Sequence, residues 1–316
     1  MHSLRERLAE FIGFLPAEDA PTIESVGREL CDGYARRVVR YAVPDQEQVE
    51  AFLFEPIGRP PHGGILALHQ HNSQWTIGKS EVAGLVGDPM QAFGPVLARR
   101  GVTVLAPDAV GFETRLSMAA GPASLAPSVM KSGSSADDWL QYYNQMAHRL
   151  VRGDLLMRKM LQDAQTAFSV LRREVSGDVP VGVIGHSMGG SVALFLGGLD
   201  TRIDMTCSSG AVASYRERLA RGLALEMAQI IPGFAKWFDV DDVMRCIAPR
   251  RLLVVSADDD FGSVDAAELV QQVRPAFDVR EGGARLAHVH VAGGHALDQQ
   301  RFDAIVEWVF IQCQTG

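Results

Sequence analysis

The stretch VPVGVIGHSMGGSVALFLGG, Val179 to Gly198, runs from one apolar segment through a Gly-His-Ser-Met-Gly knot into another. The first segment reads as a buried strand and the second as a helix, so the serine sits where one buried element hands over to the next. A turn that sharp forces Ser187 into a strained backbone conformation, and glycines on both sides let the neighbouring elements approach. The hydroxyl is lifted above the edge of a sheet. The amide of Met188, at the start of the new helix, then points to where an oxyanion would form. The plain alternative is a glycine-rich strand–helix connection with no chemistry.

A serine hydroxyl is a poor nucleophile until a base takes its proton, and the base needs a group to orient it. For such an elbow the chain order is Ser, then acid, then His. RRLLVVSADDD (250–260) ends a later apolar run in three candidate acids, Asp258, Asp259 and Asp260. VAGGHALDQQ (291–300) places His295 after two glycines and before a closing helical pattern. Other histidines compete less well. His288 and His290 alternate within the last strand and read as structural. His186 abuts the serine, yet a tight turn points its side chain away from the hydroxyl. His69 and His71 form a possible metal pair without a third ligand at useful spacing, so no metal is expected.

The surrounding chain supplies a matching frame. GGILALHQH (63–71), GVTVLAPD (101–108), VPVGVIGHS (179–187), RRLLVVSADDD and RLAHVHVAGGH (285–295) are short apolar runs ending in polar or glycine residues. Helical patterns such as LMRKMLQDAQTAFSVLRREV separate them, which predicts an α/β fold with a mostly parallel central sheet between helices. YARRVVRYAVPDQEQVEAFLFEP reads as two strands about a turn at Pro44-Asp45. Leu4, Leu8, Phe11, Ile12 and Leu15 recur at helical spacing before Pro16, so residues 1–33 are read as a helical extension. That extension either caps the sheet or offers a homodimer contact. Residues 113–152 and 212–245 break the alternation and are read as a cap insertion and a second helical insertion in one domain. Their Trp139, Tyr142, Tyr143, Phe234 and Trp237 are candidates to line an apolar cleft, or simply to pack the insertions down.

A formal net charge of −8 with no basic run argues against nucleic acid as a partner. No window reaches the length of a membrane span, and charges break the apolar pattern of the first residues, so no signal peptide is expected. Four cysteines, Cys31, Cys207, Cys246 and Cys313, are widely spaced and form no CxxC pair. They fit free thiols in the cytoplasm.

With LALHQH, GKSEVAGL, LARRGVTVLAPDAVGFETR, GHSMGG, CIAPRRLLVVSADDD and the late GGH in view, the chain resembles the α/β-hydrolase superfamily, and within it the dienelactone hydrolase and acetyl-xylan-esterase-like branch. The likeness runs from about residue 50 onward. It implies the α/β-hydrolase fold, hydrolysis of a small carboxylic ester or lactone, and no cofactor. The acid of that branch follows a Gly-x-x-Asp step; Ala257 replaces the glycine, which puts Asp260 first and leaves Asp259 open. A second oxyanion amide is implied after the first central strand, at Gln70 or His71, where the branch commonly shows His-Gly-x-Gly. Dienelactone hydrolases use cysteine, so Ser187 leans towards the esterases. Glu113 and Arg115 in PDAVGFETR are expected either to pair at the site's rim or to be solvated. The rival activities are cleavage of small peptides and a non-hydrolytic reaction such as carbon–carbon cleavage, acyl transfer or cyclisation.

Overall fold

The computed structural model describes residues 2–16, 19–116, 135–175, 177–278 and 285–314. Nine strands form one sheet: β1 (Glu24–Cys31), β2 (Tyr34–Ala42), β3 (Gln48–Pro56), β4 (Gly63–Leu68), β5 (Val102–Pro107), β6 (Val181–His186), β7 (Met205–Ser209), β8 (Arg251–Ala257) and β9 (Leu286–Val291). Their spatial order is β1-β2-β3-β5-β4-β6-β7-β8-β9. The first three strands pair antiparallel, and β3 is antiparallel to β5. From β5 to β9 all pairings are parallel.

The parallel strands are apolar on both faces because helices cover both. On one side lie α1 (Leu4–Ile12), and further along the chain the longer helices of the central region. In chain order the helices after α1 are α2 (Lys79–Val82), α3 (Phe93–Arg99), α4 (Ser135–Val151), α5 (Leu156–Glu174) and α6 (Met188–Leu199). They continue with α7 (Tyr215–Arg221), α8 (Phe234–Trp237), α9 (Val240–Ile247), α10 (Ala266–Phe277) and α11 (Gln299–Gln314). Leu66, Val183, Leu252 and Val254 face the layer built by α1, α5, α6, α9 and α10. Their neighbours Ile65, Ile184, Leu253 and Val255 face α3 and α11. The period-two split of adjacent residues between two cores is what a doubly covered sheet requires.

Strand order places the site. From β4 the chain goes to β5 on one side, then crosses over to β6 on the other. A crevice opens at the carboxyl ends of strands where the winding reverses, and ligands bind there in open α/β sheets. Leu68 at the end of β4 pairs with Gly185 near the end of β6, so the 69–72 loop and Ser187 leave the sheet side by side.

Two expectations change. Among the described residues of the 1–33 extension only α1 is helical; it stops at Gly13, whose φ of 73° makes the left-handed cap that ends it. Residues 24–31, expected in that extension, form β1 instead. This edge strand exposes nearly every residue, so it carries no apolar alternation for a sequence reading to catch. The helix buries Leu8 and Ile12, and Arg5 donates to the carbonyls of Gly198 and Cys246. β7, MTCSS, was also missed, being short and polar in composition though wholly buried. Residues 117–134 of the 113–152 insertion lie outside the described residues; α4 forms most of the remainder. Residues 212–245 are helical in α7, α8 and α9. Among the described residues no helix is long and apolar enough to cross a membrane.

Candidate active site

Ser187 joins β6 to α6 with φ 55° and ψ −121°. A non-glycine residue held there costs on the order of 1–3 kcal/mol, so the surrounding chain must over-determine it. Two glycines make it possible. A Cβ at Gly185 would overlap the carbonyl of Gly189, and a Cβ at Gly189 would overlap the carbonyl of Leu68. The elbow is thus pressed directly on the end of β4. The Ser187 amide donates to Ser209 at 2.9 Å, and the Ser187 carbonyl starts the α6 ladder by accepting from Ser191.

The three side chains expected from sequence meet here. Ser187 Oγ lies 2.8 Å from His295 Nε2, and His295 Nδ1 lies 2.7 Å from Asp260 Oδ1. The carboxylate accepts from Nδ1–H, which leaves the Nε2 lone pair to accept the serine proton. Asp260 is only 1 % exposed. Its Oδ1 also accepts from the Gly262 amide and its Oδ2 from the Ser263 hydroxyl, each at 2.8 Å. Burial favours the neutral carboxyl, but His295, Ser263 and Gly262 outweigh it and hold Asp260 below the usual carboxylate range. A carboxyl depressed on folding adds stability that is present above its unfolded value and is lost as pH falls through the folded one.

Asp259, the open alternative, is exposed. Asp258 belongs to another chain of bonds. Its Oδ1 is 2.8 Å from His290 Nε2, His290 Nδ1 is 2.8 Å from Ser256 Oγ, and Ser256 Oγ is 2.7 Å from His288 Nε2. This second Ser-His-Asp sequence lies at the end of β8 and along β9. Ser256 is 1 % exposed inside a strand, so no carbonyl carbon reaches it. Those histidines tie the edge strand to its neighbour, as their alternation suggests. His186 also behaves as expected. Its Nδ1 lies 3.0 Å from Ser209 Oγ, away from the nucleophile, and burial followed by the charges of His295 and Arg301 pushes it down to about 3.

The loop after β4 is built to hold an amide in place. Ala109 donates its amide to His69 Nε2 at 3.1 Å, so Nδ1 carries the proton and donates to the Gln70 carbonyl at 2.8 Å. Burial keeps this imidazole below its ordinary range. In a trans peptide the N–H opposes the carbonyl, which turns the His71 amide away from His69. The Gln70 side chain points inward and donates to Glu81. The His71 ring packs against Trp75, Phe112 and Tyr142, and burial drives it down to about 4.

Lys79 bolts this loop to the one after β5. Its ammonium lies 2.8 Å from Asp108, 2.5 Å from Glu113 and 3.2 Å from Glu50. Burial opposes that charge, but Asp108 and Glu113 outweigh it and hold the proton more tightly than usual. Glu113 and Arg115, expected either to pair or to be solvated, do neither: Glu113 is taken by Lys79, and Arg115 is buried and turns to Asp163 at 2.7 Å. Removing one member of a buried cluster leaves its partners uncompensated. Lys79→Met is therefore expected to lower unfolding stability by about 3–5 kcal/mol, read from the urea midpoint.

Of the aromatic candidates, Tyr142 alone reaches the elbow. Its hydroxyl is 3.4 Å from Met188 Sδ and donates to Glu226 at 2.6 Å. Burial raises the Glu226 carboxyl. Phe234 is core, packed against Phe11, Phe195, Tyr215 and Phe238. Trp237, three residues on at the end of that four-residue helix, is 64 % exposed. Trp139 and Tyr143 stack on each other at the surface. Spacings of three and four residues would put these rings on shared helix faces, so their different burial comes from what each helix packs against, which aromatic content does not carry. Sequence reasoning also missed Phe261, half exposed with its ring 4.5 Å from that of His295, and the buried Arg301 behind the histidine.

No family model matches the chain. A curated relative, "Putative hydrolase YtaP" of Bacillus subtilis (strain 168), is 24 % identical over 300 residues, covering 92 % of each chain. Among solved structures, a "putative acetyl xylan esterase" from Bacteroides fragilis NCTC 9343 superposes with a TM-score of 0.73 at 16 % identity, covering 97 % of this chain and 85 % of that one. A glucuronoyl esterase from Solibacter usitatus does so at 0.67 and 18 % identity, over 99 % and 92 %. The chain has the α/β-hydrolase fold. Ser187 stands at the strand–helix turn after the central strand β6, and Asp260 and His295 lie in the loops after β8 and β9. Among the described residues no three His, Cys, Asp or Glu side chains are grouped to hold a metal ion.

Proposed function

We propose that the protein is a serine hydrolase of small carboxylic esters or lactones. The observation that carries this reading is the unbroken relay from Ser187 through His295 to Asp260, with both links under 3 Å. His295 takes the serine proton as Oγ attacks the carbonyl carbon, and Asp260 keeps the imidazole in the tautomer that accepts it. The Met188 amide at the start of α6 and the His71 amide hold the developing oxyanion; the tautomer of His69 favours His71 over Gln70. His295 then returns the proton to the departing alcohol, and water releases the acyl group by the same route. Tyr142 and Phe261 would flank the bound ester. The carboxylic-ester substrate is further supported by the names of the structural neighbours, acetyl xylan and glucuronoyl esterases. Four cysteines without a disulfide favour a reducing compartment, the cytoplasm.

A fluorophosphonate probe followed by peptide mapping tests the activated hydroxyl. The adduct is expected on Ser187, with turnover of p-nitrophenyl acetate and butyrate and little release from aminoacyl anilides. Anilide release without ester turnover would replace the esterase by a peptidase. Absence of any adduct at Ser187 would remove the serine mechanism.

A further inference from the structure

Arg301 lies in the first turn of the closing helix α11 and is wholly buried, which is rare for a guanidinium unless it is paired. Its Nη2 donates to the Gly294 carbonyl at 2.6 Å and its Nη1 to the His295 carbonyl at 3.2 Å. The same Nη1 lies 3.5 Å from Asp260 Oδ2, and Nε has no hydrogen-bond partner. One cation thus grips the backbone that carries the imidazole and touches the carboxylate that orients it. Held apart from water, those contacts act at low dielectric, where a charge a few ångströms away matters most.

We propose that Arg301 is a positioning residue for His295 that also sets the pH range of the reaction; the inference rests on the esterase reading above. The positioning follows from geometry. The glycines at 293 and 294 give the His295 loop little stiffness of its own, and two carbonyl bonds to a buried planar fork supply it. The pH effect follows from charge. The imidazolium formed in acyl transfer is stabilised by Asp260, and Arg301 both shares that carboxylate and repels the new positive charge. Among the remaining groups about the pair, Asp298 just before α11 accepts the Arg301 backbone amide at 2.8 Å and keeps that bond in every side-chain variant. His186 beneath the ring stays neutral, Ser187 and Phe261 are uncharged, and the buried Arg218 contacts the Gly262 carbonyl at 3.5 Å while feeling Asp260 from α7.

The acid limb of kcat/KM reports the free enzyme's essential base, so it separates the two roles. Arg301→Met removes the grip and the charge. It is expected to lower kcat for p-nitrophenyl acetate with KM nearly unchanged, and to move the acid limb up by about one pH unit. Arg301→Lys keeps the charge but cannot bond both carbonyls and Asp260 together. Its kcat should fall by about tenfold with the limb unmoved. Circular dichroism at each pH checks folding, and the pH dependence of fluorophosphonate labelling gives a second profile if the Met variant is too slow to assay. A folded Met variant with wild-type kcat, or with an unmoved limb in both profiles, overturns the proposal while leaving the esterase reading intact. Failure of the wild type itself to turn over esters or take the probe would instead overturn the underlying reading.

Discussion

Ser187→Ala is expected to lower kcat for p-nitrophenyl acetate by about a million-fold, the scale found when the nucleophile of a serine relay is removed. The methyl group leaves the fold alone. Alanine is smaller than serine, the strained φ of 55° is enforced by the contacts of Gly185 and Gly189, and the amide of residue 187 still donates to Ser209. An unchanged melting curve therefore accompanies the loss. Activity about a thousand- to ten-thousand-fold above the rate in water should persist, because the Met188 and His71 amides remain able to bind an oxyanion. The result also discriminates between two serines. Should Ser187→Ala retain most of its turnover, the Asp258–His290–Ser256 chain would become the alternative despite its burial, and Ser256→Ala would then have to abolish the reaction.

How much of this was legible beforehand depends on which physical signal each part leaves in the sequence. The elbow shows itself because close packing of three backbones leaves room only for glycine at 185 and 189, and because Ser187 stands between two apolar runs of different period. The parallel strands other than β7 show themselves because burial on both faces favours unbroken apolar runs. His295 and Asp260 stand out through position, each ending an apolar run in a turn. The features that went unread have no such local mark. β1 pairs along one edge and is solvated, so hydrogen bonds alone define it. Arg301 looks like any charged residue opening a helix, since its burial comes from a contact six residues back and another 41 residues upstream. The pairing of Lys79 with Asp108 and Glu113, like the divergence of Tyr142 and Phe234, arises from tertiary placement. Beyond the relay itself, whose chain order marks its members, partners brought together by the fold were not readable.

Asp260→Asn tests the part of the relay that sequence left open between neighbours. The expected drop in kcat is about ten-thousand-fold, with the fold retained, and Asp259→Asn should stay within about twofold of wild type. The argument turns on which hydrogens the amide can accept. In the wild type both carboxylate oxygens are saturated by donors: the Gly262 amide and His295 Nδ1–H on one, the Ser263 hydroxyl on the other. An asparagine has a single acceptor oxygen. If that oxygen keeps the Gly262 and His295 bonds, the amide nitrogen must face Ser263 and Arg301, placing donors against a hydroxyl that can turn and a guanidinium that cannot. If it turns over, its N–H₂ meets His295 Nδ1 and drives the proton to Nε2, which then cannot accept from Ser187. The second arrangement relieves the clash with Arg301 but sets the amide nitrogen against the Gly262 N–H, so neither is fully satisfied, and wherever the second forms the histidine holds the wrong tautomer. Double substitution with Arg301→Met removes the reason for turning and is expected to recover part of the loss, a non-additivity measurable as a kcat above the product of the two single effects. A double variant at or below that product would mean that the imidazole is held by Asp260 through charge alone, with the orientation of its oxygens irrelevant.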